Sequence, residues 1–192
     1  WALVVRAYDD GVAWRFTTAL PGEIEVRAEQ ATFAFPEDAL LFFPEEDELI
    51  SHQERVYKRL RISEIEAQKF SSIPAMAMLA GGPKVAITEA DLLDYPGMDL
   101  TRGAAPHSLE GLFPHYPLSV ELQGRKEYVR ERAPYLARTR GTRAFPWRVL
   151  VISGRDATFL ESDIVYRLAS ETTMADTSWI RPGQVAWDWW HA

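Results

Sequence analysis

An all-β sandwich is the fold class the sequence predicts, and three observations carry it. Short apolar runs alternate with polar residues, turn signals such as Asp9-Asp10-Gly11 and Gly81-Gly82-Pro83 separate them, and no stretch sustains helical spacing. With 192 residues, 47% hydrophobic and 26% charged, the chain can bury a core as one domain, or one domain and a fragment.

The first hairpin pairs Leu3, Val5 and Ala7 with Val12, Trp14 and Phe16 across an Asp-Gly turn, predicting strands near 2–8 and 12–18. Pro21-Gly22 is expected to end that hairpin. Ile24 and Val26, then Ala31, Phe33 and Phe35, alternate with polar partners and predict strands near 24–28 and 31–35. An irregular region starts at Pro36, and the acidic run Glu45-Glu46-Asp47-Glu48 reads as a solvated face, because adjacent acids repel. Ser51 to Arg61 is either a short helix by propensity or a loop leading into a strand. A hairpin follows, strand 73–79 turning at Gly81-Gly82-Pro83 into strand 84–90. Thr101 to Pro117, rich in Gly, Pro and His, reads as loop. Tyr128 to Arg138 is mixed, with Pro134 opposing a long helix. The clearest late strand is 145–152, with Trp147, Val149 and Val151 on one side, and 163–168 is a last strand or short helix.

Composition removes several function classes. The net charge of −7 and a pI near 5.2 argue against nucleic acid, whose phosphates need clustered Lys and Arg. No apolar run approaches the roughly 18 residues of a membrane span. Cysteine is absent, which excludes disulfides, thiolate metal sites and a Cys nucleophile. The motifs GxSxG, HExxH, GxGxxG and the P-loop are missing, and His52, His107, His115 and His191 are scattered. Carboxylate chemistry and carbohydrate recognition by aromatics and acids survive this sieve.

The most informative stretch is KVAITEADLLDYPGM, 84–98. A short apolar strand runs into Glu89, Asp91 and Asp94, and Tyr95-Pro96-Gly97 closes it with turn chemistry. Strand alternation puts Glu89 and Asp91 on one side. Hard oxygen ligands at a strand end suit Ca²⁺ or Mg²⁺, general acid/base work or hydrogen bonds to sugar hydroxyls. The spacing is not that of an EF-hand. Trp187 and Trp189 alternate with Asp188 and Trp190, the pattern of a strand covered on both faces. Opening inside a strand at Trp1 and closing on tryptophans, the chain reads as a piece of a larger protein.

Four blocks carry a family resemblance: RAYDDGVAWRF at 6–16, KVAITEADLLDYPGM at 84–98, GTRAFPWRVLVI at 141–152 and DTSWIRPGQVAWDWW at 176–190. In this order they resemble glycoside hydrolase family 97, the bacterial α-glucosidases and α-galactosidases. The resemblance implies an N-terminal β-super-sandwich similar to galactose mutarotase, a catalytic (β/α)₈ barrel and a C-terminal β-domain. Residues 1–178 would be a partial N-terminal sandwich, and 179–192 the linker and first barrel strand. It also implies a Ca²⁺ cofactor shared with the barrel and bound on this side by Glu89, an α-linked oligosaccharide or α-glycoside as substrate, and a periplasmic or secreted location. The catalytic carboxylates would belong to the barrel, so none is assigned here. A free-standing carbohydrate-binding module is the alternative. A mutarotase-like epimerase, needing a His and Glu pair, would draw on His52 and Glu54.

Overall fold

The computed structural model describes residues 1–51, 53–181 and 183. Strands hold 48% of the residues and helices 8%, in sheets that do not close into a barrel. The strands are β1 (Ala2–Tyr8), β2 (Gly11–Val26), β3 (Thr32–Ala34), β4 (Leu40–Phe43), β5 (Glu45–Glu46), β6 (Lys58–Arg61), β7 (Phe70–Ser71) and β8 (Ala75–Met78). They continue as β9 (Lys84–Ala90), β10 (Asp99–Arg102), β11 (Ser108–Leu112), β12 (Pro117–Gln123), β13 (Lys126–Arg132), β14 (Ala137–Ala144) and β15 (Trp147–Ser153). Two short helices follow, α1 (Asp156–Glu161) and α2 (Ile164–Leu168). None is long and apolar enough to cross a membrane.

The larger sheet runs β1-β2-β15-β9-β8-β4-β6, with β14 also on β2. The smaller runs β3-β11-β10-β7-β5. Between them lies the main core, with Leu41, Phe43, Ala77 and Ile87 from the larger sheet meeting Phe33, Leu100 and Leu109 from the smaller. Alternation along β9 and β15 gives the larger sheet a second buried face. Ala90, Trp147, Val149 and Val151 point there and pack against Ile164 and Leu168 of α2. Residues 163–168 therefore resolve as the helix of the two options.

Several expectations change. Pro21-Gly22 does not end the strand: β2 continues to Val26, because its second half gains β14 as partner over Thr17–Val26, with a register irregularity between Arg140 and Thr142. The separate strand near 24–28 is the tail of β2. β14 and β15 form one bent path along β2, interrupted at Phe145-Pro146, where proline has no N–H for the ladder. Thr101 to Pro117 is not all loop. β10 and β11 pair antiparallel within it, with Gly103 and Pro106 in the turn between them and Gly111 inside β11. The described residues of 51–61 hold no helix; the segment is irregular as far as Tyr57 and ends in β6, the loop-into-strand option. The mixed stretch 128–138 splits between β13 and β14.

The acidic run is not a uniformly solvated face either. Glu45–Glu46 pairs with β7, and Glu46 is buried, accepting hydrogen bonds from Arg55 Nε and Ser51 Oγ at 2.8 Å each. Asp47 stays exposed beside Lys69. The linker and barrel strand expected over 179–192, with Trp187 and Trp189, fall largely outside the described residues, as does His52 of the epimerase pair.

The β1–β2 hairpin depends on Gly11, which faces Leu150 and Val151 of β15. A Cβ there would overlap the Leu150 carbonyl oxygen and press on the Ile164 side chain. Gly11→Ala is expected to destabilise the protein by about 1–3 kcal/mol, read as a lower urea midpoint with unchanged slope.

Candidate functional site

At one end of the sandwich, the core gives way to buried charge. Glu89 and Arg148 sit directly opposite each other on β9 and β15, on the face that Ile87 and Leu150 share further along. A cross-strand pair of opposite charge is favourable in itself, and burial makes the loss of either partner costly. Arg148 is 2% exposed. Its Nη1 donates to Glu89 Oε2 at 2.5 Å, while Nε and Nη2 grip Glu29 at 2.7 and 2.8 Å in a two-pronged pair. The guanidinium also lies 4.8 Å from the centre of the Phe113 ring.

The turn after β9 folds back on the same carboxylate. The Met98 N–H donates to both Glu89 oxygens at 3.3 Å, and Gly97 leaves room for it: a Cβ there would stand 3.3 Å from Glu89 Oε1. The Tyr95 hydroxyl hydrogen-bonds Glu29, and its ring packs edge-on against Phe145 at 5.4 Å. Burial, and then the Glu29 charge, push the Tyr95 phenol above its usual range. Burial likewise raises the Glu89 carboxyl, against the opposing pull of Arg148 and the Met98 amide.

A third carboxyl joins from β10. Asp99 is pushed up to about 7, first by burial, then by the charges of Glu89 and Glu46. Glu29 and Glu89 thus share one arginine, which leaves negative charge in excess, and Asp99 feels the Glu89 charge. Folded Asp99 keeps its proton up to about pH 7, whereas an ordinary Asp releases it near 3.8. Its contribution to stability is therefore full below 3.8 and lost as pH rises through about 7. Asp99→Asn is expected to raise the melting temperature at about pH 8 by roughly 2–4 °C, on the order of 1 kcal/mol after allowing for solvent screening. The gain should fade towards pH 4, and a gain independent of pH would contradict the assignment.

The acidic cluster read from the sequence separates in the fold. Asp91 does not share the Glu89 side: its φ of 57° breaks the alternation. It accepts from Arg15 Nη1 at 3.1 Å and from the Ser170 N–H and hydroxyl at 2.9 and 3.0 Å. Arg15 in turn stacks on Trp147, within the core that α2 covers. Asp94 is exposed on the turn. Glu89 and Asp94 keep the positions foreseen, near the strand end and on the turn beyond it, while the Arg148 and Glu29 that join Glu89 went unrecognised. A signal for Arg148 existed, a lone charge inside the apolar run of β15; Glu29 offered none.

The donor set here is hard oxygen, suited to Ca²⁺. Among the described residues Glu89 Oε1 has only the long Met98 hydrogen bond, so a lone pair remains for a cation, and the excess negative charge favours one. No three His, Cys, Asp or Glu side chains converge to hold a metal among the described residues. Since Ca²⁺ takes about six to eight oxygens, this surface fits as a single-carboxylate contributor and not as a complete site.

Residues 1–170 match the family model described as Glycosyl-hydrolase 97 N-terminal. A retaining alpha-galactosidase of Bacteroides thetaiotaomicron is 30% identical over all of this chain and 31% of its own length. A probable retaining alpha-galactosidase of Streptomyces bingchenggensis is 31% identical over 97% of the chain and 26% of its own. The chain thus spans less than a third of these relatives. Among solved structures, a family 97 enzyme from Pseudoalteromonas sp. in complex with acarbose aligns over 94% of the chain and 25% of its own, with TM-score 0.75 and 21% identity. A beta-arabinopyranosidase aligns over 79% of this chain and 24% of its own, with TM-score 0.59 and 18% identity. These structural matches establish the shared fold. The chain belongs to glycoside hydrolase family 97, as the N-terminal β-sandwich domain of such an enzyme.

Proposed function

We propose that the whole protein cleaves α-glycosidic bonds of α-galactosides or α-glucosides, and that this domain forms one wall of the active site and lends Glu89 to a shared Ca²⁺. The observation that carries this reading is a rigidly held carboxylate, Glu89, in a cluster with more negative charge than Arg148 neutralises. It is supported by relatives named as alpha-galactosidases and by neighbours crystallised with acarbose and panose. The catalytic carboxylates would come from the adjoining barrel, the domain's partner within the same protein, and an α-linked oligosaccharide or α-glycoside would be the substrate. The same reading makes the enzyme periplasmic or secreted.

When bound, the Ca²⁺ supplies positive charge that holds a sugar hydroxyl and eases the grouping of carboxylates. This chain's part is orientation. Arg148 fixes Oε2, the Met98 N–H steadies the carboxylate, and Gly97 keeps the approach open. The isolated chain is expected to hydrolyse neither p-nitrophenyl α-galactoside nor the α-glucoside and to show no tight calcium binding, while the full-length protein does both. Turnover by the purified chain, lost on mutating a residue within 1–192, would place the chemistry here and overturn the reading.

A further inference from the structure

Beside the Glu89 cluster lies a second feature that the sandwich does not need for its own packing. A cavity of about 600 Å³, within the range of ligand sites, opens between the turn after β9, the segment before β12, and β14. Its wall carries Tyr116, half exposed, whose ring stacks on buried Tyr135 at 5.9 Å with planes 27° apart. Arg138, which lines the same cavity, lies 4.7 Å from the Tyr135 ring centre. Across the cavity, Arg140 of β14 and Glu23 of β2 stand opposite each other in register. Both are exposed, and neither has a hydrogen-bond or ion-pair partner among the described residues.

An aromatic face on one wall and a free donor–acceptor pair on another fit a ligand with an apolar face and a rim of hydroxyls. Arg140 donates in a planar fork and Glu23 only accepts, a combination that matches neighbouring hydroxyls on a sugar ring. Tyr95 joins the two places, its hydroxyl on Glu29 and its ring on the cavity wall. We infer that this cavity is a subsite for a sugar unit of an α-linked oligosaccharide away from the bond being cleaved, with Tyr116 as stacking platform and Arg140 and Glu23 as hydroxyl ligands. The inference rests on the glycosidase reading above and adds to it a preference for longer substrates.

The test uses the full-length enzyme with Tyr116→Ala and, separately, Arg140→Gln, whose exposed and unpartnered side chain leaves folding undisturbed. KM is measured for a p-nitrophenyl monoglycoside and for α-linked oligosaccharides of increasing length. The ratio of oligosaccharide KM to monoglycoside KM is expected to rise about tenfold in each variant, with oligosaccharide kcat changing far less. A ratio equal to wild type in both variants would overturn the subsite. If the wild-type enzyme cleaves no α-glycoside, the glycosidase reading fails by itself, and calorimetric titration with the same oligosaccharides decides the subsite. Weaker binding by Tyr116→Ala supports it, and equal binding, or none by wild type, overturns it.

Discussion

Arg148→Met is expected to be among the most damaging single substitutions in this domain, costing about 3–5 kcal/mol. Methionine fills much of the same volume, so the loss is electrostatic. Glu29 and Glu89, 10% and 11% exposed, would remain buried without their cation. A buried carboxylate that loses its partner is far costlier than a neutral group of the same shape. For a domain of this size the loss corresponds to a fall in melting temperature of roughly 10 °C. Combining Arg148→Met with Glu29→Gln and Glu89→Gln should recover much of it, because the stranded charges are gone. A triple variant less stable than the single one by the sum of independent losses would mean that Arg148 acts through packing on Phe113 instead.

Glu89→Gln in the full-length enzyme carries the largest expected effect on activity. The swap keeps size and one acceptor oxygen but removes the charge that a cation requires. Activity should fall by about 10–100-fold and recover in part when Ca²⁺ is raised, since excess ion offsets weaker binding by mass action. That recovery separates a ligand role from a folding defect. Loss of the Arg148 pair alone would lower stability at every Ca²⁺ concentration and leave the calcium dependence of activity unchanged.

The residues that made the fold legible were those whose alternation is local. Val85 and Ile87 in β9, and Trp147, Val149 and Val151 in β15, announce their strands by period two, and both strands lie at the centre of the larger sheet. What stayed hidden depends on distant partners. Glu46 is buried because Arg55 and Ser51 return to it, and a run of four acids gives no sign of that. β10 and β11 were obscured by Gly103, Pro106 and His107, which occupy only their connecting turn. The β12–β13 hairpin had a readable signal, Leu118, Val120 and Leu122 alternating before Gly124, but it pairs only with itself and stands apart from both sheets. In the site, the strand end made Glu89, Asp91 and Asp94 candidates together, and the family resemblance was what singled out Glu89. Arg148 was masked by the apolar strand around it, and Glu29 and Asp99 reach the cluster only through tertiary folding. Asp91 misled because alternation was extended one residue past Ala90, where the backbone turns left-handed.

Calorimetric titration of Ca²⁺ into the full-length enzyme tests the central claim most directly, comparing wild type, Glu89→Gln and Asp47→Asn. Asp47 is two-thirds exposed, pairs with Lys69 and serves as a control for lost surface charge. The account predicts affinity weakened by roughly 10–100-fold in Glu89→Gln and close to wild type in Asp47→Asn. Equal Ca²⁺ affinity for wild type and Glu89→Gln would contradict it, leaving Glu89 as the structural partner of Arg148 and nothing more.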